Sequence, residues 1–310
     1  MKVFVTGATG TVGPATVRAL VAAGHAVRAV ARDESRAAAV RGAGAEPVAV
    51  DLFDAEAVRD ATVGCDAIAH LATNVPAVSR AARRGAWATH NRLRTEATRC
   101  LVAAARAHDV GVFVKESVSF VYPDRGDAWI DESVPPLRVG LLAPTLEGEE
   151  LVTRFGATGA RGVVLRFGLF YGPTSRGVDE GLRLARWRAS TVAGAPGAYL
   201  SSIHSDDVAT AVVAALDAPG GVYNVVDDDP LTRREYLDAF ADAFGLKRLR
   251  PTPALLVRVF AGSAASALLA SQRVSNGRFR GATGWAPAHR DAREGWASVA
   301  AARRLTGATR

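Results

Sequence analysis

Hydrophobic positions along the chain fall into short runs that alternate with stretches of helical spacing. Val3-Phe4-Val5 is an apolar run flanked by Lys2 and Thr6, the pattern of a strand buried on both faces. Helical spacing follows from Ala15 to Ala23. Further strand-like runs lie at His25 to Ala31, Pro47 to Val50, Ala67 to Leu71 and Gly111 to Lys115, and a helical pattern spans Trp87 to Arg106. Apolar runs beginning at Val163 and spanning Gly221 to Val225 extend the series. Strands alternating with helices predict an α/β fold, a Rossmann-type doubly wound parallel sheet. Pro- and Gly-bearing breaks at 172–202 and 227–290 predict a smaller C-terminal substrate lobe. The expected division is therefore 1–171 with 203–226 for the dinucleotide-binding part, those two stretches for the lobe, and 291–310 for a C-terminal helix and tail. The longest apolar stretch, Ala254 to Ala270, is interrupted by Arg258 and rich in Ala and Ser, which suits a core helix better than a membrane span.

Between the first strand and the first helix stands Gly7-Ala8-Thr9-Gly10-Thr11-Val12-Gly13. A Gly-rich turn in this position binds phosphate, because backbone N–H groups and a helix N-terminus converge on it. Gly7 suits the tight turn, Gly10 lets the backbone approach a pyrophosphate, and Gly13 lets the helix pack on the strand. Pro14 sits just inside the helix, where its missing N–H costs nothing. The contacts expected from this turn come from Gly7, Thr9, Gly10, Thr11, Val12 and Gly13. The end of the second strand selects the cofactor. An acidic residue there would accept bonds from a ribose 2′-hydroxyl, whereas the chain has Arg28 and Arg32, with Ser35 and Arg36 behind. A guanidinium matches a 2′-phosphate bidentately. Asp33 argues for the other choice but follows Arg32 and can cap the next helix. NADP(H) is thus expected over NAD(H).

Composition changes this picture little. The chain has 310 residues, 49% apolar and 22% charged, and a formal net charge of +7. Its arginines are scattered through helical segments rather than gathered into a stripe, so the excess reads as solvated helix faces and argues against nucleic acid. Cys65 and Cys100 are too few for a metal cluster or a disulfide framework. The first strand begins at Lys2, which leaves no room for a signal peptide and points to the cytoplasm, with no membrane partner.

The spacing Gly-x-x-Gly-x-x-Gly preceded by Thr6 resembles the short-chain dehydrogenase/reductase superfamily, and the likeness covers nearly the whole chain. His70-Leu71-Ala72 resembles the His-Leu-Ala turn of its extended subgroup, whose backbone lines the cofactor crevice, here through Leu71, Ala72 and Thr73. The resemblance sets Asp51-Leu52 against the adenine, and Asn91, Thr95 and Ala97 on the helix facing the active site. Val163 to Pro173, Ile203 to Ala209, Gly221 to Val225 and Thr283-Gly284-Trp285-x-Pro287 are similar to further signatures of the subgroup. In the Ile203 to Ala209 signature Asp206 and Asp207 start a helix, His70 reads as a core residue, and the fold is compatible with a homodimer formed through sheet-flanking helices.

The family's catalytic set is a Ser or Thr four residues before the Tyr that closes the fifth-strand motif, plus a Tyr-x-x-x-Lys helix. Here Val118 stands at the first position. Leu146-Glu147-Gly148-Glu149-Glu150-Leu151-Val152, similar to the run after the family's Lys, sets Leu141 and Thr145 at the other two. Slippage cannot restore the motif, since no Tyr occurs between Pro123 and Phe170. This resembles the atypical extended members, termed epimerase/dehydratase-like. Charges at the end of a buried strand are costly unless used, so the expected proton-handling residues are Glu116, Lys115 and Tyr122. The readings left open are an oxidoreductase on a small organic metabolite with a non-standard proton donor, a net non-redox epimerase, dehydratase or cyclase, and a non-catalytic NADP(H) sensor or subunit.

Overall fold

The computed structural model describes residues 1–76, 85–138, 140–157, 159–261 and 265–307. Seven parallel strands form the central sheet: β1 (Lys2–Thr6), β2 (Ala26–Val30), β3 (Glu46–Val48), β4 (Ala67–His70), β5 (Val112–Val118), β6 (Arg161–Phe167) and β7 (Gly221–Val225), in the order β3-β2-β1-β4-β5-β6-β7. Strand order reverses at β1, so a crevice opens between the carboxyl ends of β1 and β4, where ligands of open α/β sheets bind.

Two-residue alternation sends successive side chains to opposite faces, and both faces are apolar. Val3, Val5, Val114 and Leu165 pack under helices α1 (Gly13–Ala22) and α8 (Ser205–Ala215). Phe4, Ile68, Phe113 and Val164 pack on the opposite side, under the helices that follow β4 and β5. Between β2 and β4 lie α2 (Glu34–Gly42) and α3 (Ala55–Ala61). The helical run after β4 comprises α4 (Ala88–Arg92), a π-helical turn Leu93–Ala97 and α5 (Thr98–Ala107), and α6 (Ala143–Gly156) follows β5.

A separate apolar core joins α7 (Arg176–Ala185), the strand Ala189–Ala193, α9 (Arg233–Ala243) and the C-terminal helix Ala292–Gly307. Trp296 and Val299 of that last helix are buried against Tyr236 and Phe240, so it is part of the second core.

Two sequence expectations need correction. β5 does not stop at Lys115 but continues to Val118, because β6 pairs with it throughout, from Val112 opposite Arg161 to Val118 opposite Phe167. Lys115 and Glu116 are consequently interior strand residues. The stretch Ala254 to Ala270 is not one core helix: helices Ala254–Ala261 and Ala265–Leu269 divide it, and Leu255, Leu256 and Leu268 are exposed. Among the described residues no helix is long and apolar enough to cross a membrane.

Candidate active site

The turn after β1 has the close approaches that its glycines imply. Gly7 has φ +76°, and a Cβ there would lie 2.6 Å from the Leu71 carbonyl carbon and 2.7 Å from the Ala72 nitrogen. At Gly13 a Cβ would lie 2.2 Å from the Gly7 oxygen. The first contact locks the turn to the end of β4, and the second seats α1 on the turn. Thr9, Gly10 and Thr11 are exposed between them, Val12 is buried, and no side chain caps the α1 N-terminus. Its N–H groups are left to an anion. Gly13→Val should force turn and helix apart, costing about 1–3 kcal/mol as overpacking and abolishing dinucleotide binding. Thermal unfolding with a fluorescence titration of NADPH checks this; unchanged binding would contradict the assignment of the turn.

Around the turn, Thr6 Oγ1 lies 2.7 Å from His70 Nδ1 and accepts from Ala72 N–H at 3.3 Å. His70 Nε2 lies 3.1 Å from the Leu93 carbonyl, which the π-helical turn leaves available. Burial and the nearby Lys115 charge hold the His70 pKa well below the usual imidazole range, so it is a neutral structural clamp. π-Helical turns often mark functional sites. Asn91, one turn earlier, has a buried Oδ1 with no partner among the described residues.

The second-strand arginines divide in role. Arg28 is committed to Glu46 Oε2 at 3.2 Å and the Ala61 carbonyl at 3.0 Å. Asp33 caps α2 by accepting from Arg36 N–H at 2.9 Å, as its position after Arg32 suggests, and pairs with the Arg36 guanidinium. Arg32 is exposed. Asp51 is exposed and accepts from Phe53 N–H at 3.0 Å, Leu52 and Leu71 are buried, and Thr73 is exposed.

At the carboxyl end of β5, Glu116 and Tyr122, expected with Lys115 to handle protons, belong to a buried charge network. Arg94, from the π-helical turn, holds Glu116: Nη1 to Oε2 is 2.5 Å, Nη2 donates to Oε1 at 3.1 Å, and Nη1 donates to the Glu116 carbonyl at 2.7 Å. Arg166 of β6 holds Glu149 of α6, with Nη2 to Oε2 at 2.6 Å and Nε to Oε1 at 3.0 Å. Ser117 Oγ donates to the same carboxylate. Tyr122 donates to Asn224 Oδ1 at 2.8 Å and accepts from Arg166 Nη1 at 2.9 Å, and burial pushes its phenol pKa up. All of these groups are buried.

Lys115 differs from its neighbours. Its side chain passes beneath α6, where a Cβ on Gly148 would lie 2.7 Å from Cε and 3.2 Å from Nζ. A Cβ there would also run into the Arg94 backbone carbonyl, so the glycine is needed for the close approach of α6 to the π-helical turn and leaves room for the Lys115 side chain as well. No carboxylate among the described residues pairs with its ammonium. Burial, reinforced by the Arg94 charge, lowers its pKa to about 7. The same causes, burial first and then Arg94 and Lys115, hold His90 at about 3.

Thr145 is buried in the first turn of α6 beside Pro144, one turn ahead of Gly148, and Val118 is half-buried at the end of β5. The side chain of Leu141 lies outside the described residues. Sequence reasoning did not assign Arg94, Glu149, Arg166 or Asn224 to the site. For Arg166 the signal was there: a charge inside the apolar run Val163 to Phe167 needs a buried partner. Asp207 opens α8 as its motif implies, but is buried and accepts from Ala288 N–H at 2.7 Å and His289 N–H at 3.2 Å, tying the C-terminal signature to the sheet.

Comparison with known proteins decides the family. The model of the NAD dependent epimerase/dehydratase family matches residues 3–225. The chain belongs to this family. Among relatives in the epimerase/dehydratase family and beyond, it is 34% identical over 307 residues to a Streptomyces 3-diazoavenalumate denitrifying reductase, covering 95% of this chain and 99% of the relative. It is 32% identical over 258 residues to a 4-hydroxy-2-methyl-3-oxo-4-farnesyl-3,4-dihydroquinoline-1-oxide ketoreductase of Stigmatella aurantiaca, covering 80% of this chain and 74% of the relative. A human epimerase family protein solved with NADPH superposes with a TM-score of 0.77 at 25% identity, covering 97% of this chain and 99% of that one. Thermus thermophilus UDP-glucose 4-epimerase with NAD has the same fold, with a TM-score of 0.79 at 24% identity and coverage of 98% and 99%. An NAD(P)-dependent enzyme of the reductase and epimerase kind is the class these relatives define.

Proposed function

We propose that this protein is an NADP(H)-dependent reductase that delivers hydride to a small organic acceptor. The observation that carries the reading is the turn from Gly7 to Gly13, complete in its close approaches, and relatives named as reductases support it. When bound, the dinucleotide supplies the hydride. Gly7, Thr9, Gly10, Thr11, Val12 and Gly13 would hold its pyrophosphate, Asp51 and Leu52 its adenine, and Leu71, Ala72, Thr73 and Asn91 would line the crevice.

Arg32 binds the 2′-phosphate, because Arg28 and Arg36 are already engaged. One charge-assisted contact is worth about 1.5–3 kcal/mol. Arg32→Ala should therefore weaken NADPH by roughly tenfold or more and leave NADH nearly unchanged. Equal affinity of the wild type for the two cofactors would remove the assignment.

Proton handling narrows to Lys115. Glu116 is saturated by Arg94, and Tyr122 is locked between Asn224 and Arg166 with its pKa raised, so both position rather than donate. A buried amine with a pKa of about 7 is matched to donation near neutrality.

The Streptomyces relative suggests an acceptor that needs no donor at all, a diazonium-bearing arene. There the hydride pair forms the new C–H bond, the C–N bond breaks with its electrons leaving in N2, and no proton is consumed. Such a reduction would not require the family's Tyr and Lys. Incubation with NADPH and either an aryl diazonium or an aryl ketone tests the function. Nicotinamide oxidation matched by N2 release is the expected result, whereas no cofactor consumption with either acceptor contradicts it.

A further inference from the structure

The second core holds a partly open cavity of about 90 Å³ whose wall includes Phe170, Tyr171, Val192, Tyr236, Phe240 and Trp296. We infer that this cavity takes a single aromatic ring of the substrate. The inference rests on the reductase reading for its role in turnover, but on geometry for its chemistry.

Position comes first. The wall begins at Leu169 to Tyr171, just beyond Phe167 at the carboxyl end of β6. Phe120, which follows β5, packs on the same cluster. The cavity thus lies on the side of the sheet where open α/β folds bind ligands.

The chemistry of the wall selects the ligand. No Arg, Lys, His, Asp or Glu lines it among the described residues. Few polar groups face it: Ser190 Oγ lies 3.0 Å from the Val192 and Arg250 carbonyls, Ser175 Oγ accepts from Gly177 N–H at 3.3 Å, and Trp296 Nε1 is a buried donor with no partner among the described residues. The Tyr171 and Tyr236 phenols are pushed up by burial and stay neutral. A phosphate, carboxylate or sugar placed here would exchange its hydration for little more than the Trp296 N–H, too few partners for its several oxygens. A ring needs none. Trp296 stands edge-on to Phe240 at 4.9 Å and 81°, the arrangement by which aromatic faces extend to one more ring. Dry apolar cavities of about 150 Å³ take up benzene, and this one is smaller, so it has room for at most one ring and excludes a fused pair. The wall therefore disfavours the nucleotide sugars bound by several proteins of the same fold.

Calorimetric titration of the full chain with phenol, 2-naphthol and UDP tests this. Phenol should bind, 2-naphthol at least tenfold more weakly, and UDP should not displace phenol. Val192→Phe fills the cavity from one wall and Gly181→Leu from another, where a Cβ lies 3.1 Å from the Phe240 ring and needs only a small shift of that ring. Either variant should weaken phenol at least tenfold while NADPH affinity stays constant. If both variants fail to fold, the wild-type size series decides. Absence of phenol binding, equal binding of 2-naphthol, displacement by UDP, or phenol binding undiminished in folded variants would overturn the inference. Phenol binding without turnover of any aromatic acceptor would instead count against the reductase reading alone.

Discussion

Lys115→Met is expected to stabilise the protein, and to do so most in acid. The Lys115 pKa falls from 10.5 to about 7 in the folded state through burial and the Arg94 charge. Between those values the unfolded chain holds a proton that the folded chain does not, so the stability of the wild type rises as pH goes from about 7 towards 10. Below about pH 7 both states are protonated and the full cost is present, roughly 3–5 kcal/mol. Methionine has similar reach and no charge. Urea unfolding of both proteins across this range should show the largest advantage of the variant below pH 7, shrinking as pH rises. An advantage that grows with pH would mean that the ammonium is paired in the folded state. Activity supplies a second readout: a carbonyl acceptor should lose about two to four orders of magnitude in rate with Lys115→Met, while reduction of a diazonium should persist.

Glu149→Leu is expected to have the opposite effect. It strands the Arg166 guanidinium, buried beside Tyr122, without its carboxylate. Breaking one side of such a pair costs about 3–5 kcal/mol, whereas replacing both partners by apolar groups is often close to neutral. The double variant Glu149→Leu with Arg166→Met should accordingly recover much of the loss. Chemical denaturation of the wild type, both single variants and the double variant measures this directly. A double variant as unstable as the sum of the singles would show that the two side chains do not act as a pair.

Much of the sheet was legible because β1, β4 and the first half of β5 are buried apolar runs. Gly13 and Asp33 were readable for the same local reason: each acts on residues close by in sequence. The far end of β5 was not. Lys115 and Glu116 look like the polar end of a strand, and only pairing with β6 and the arrival of Arg94 from the π-helical turn show that the strand continues and the charges are enclosed. Nothing local marks Gly148 as the space for Lys115, since a glycine in a helix does not name what lies beneath it. The ion pairs Arg94–Glu116 and Glu149–Arg166 join segments distant in sequence, and the side-chain pattern of each segment alone reads as solvated charge or core.

Hydride transfer to an organic acceptor is the central claim, and isotope transfer reads it directly. NADPH deuterated at the transferable C4 position, incubated with the protein and an aryl diazonium, should give an arene carrying one deuterium where nitrogen was, with N2 and oxidised cofactor in equal amounts. Arg32→Ala should slow the label transfer at limiting cofactor. Product lacking deuterium, or cofactor recovered unoxidised after the acceptor has changed, would contradict the account and favour a net non-redox reaction instead.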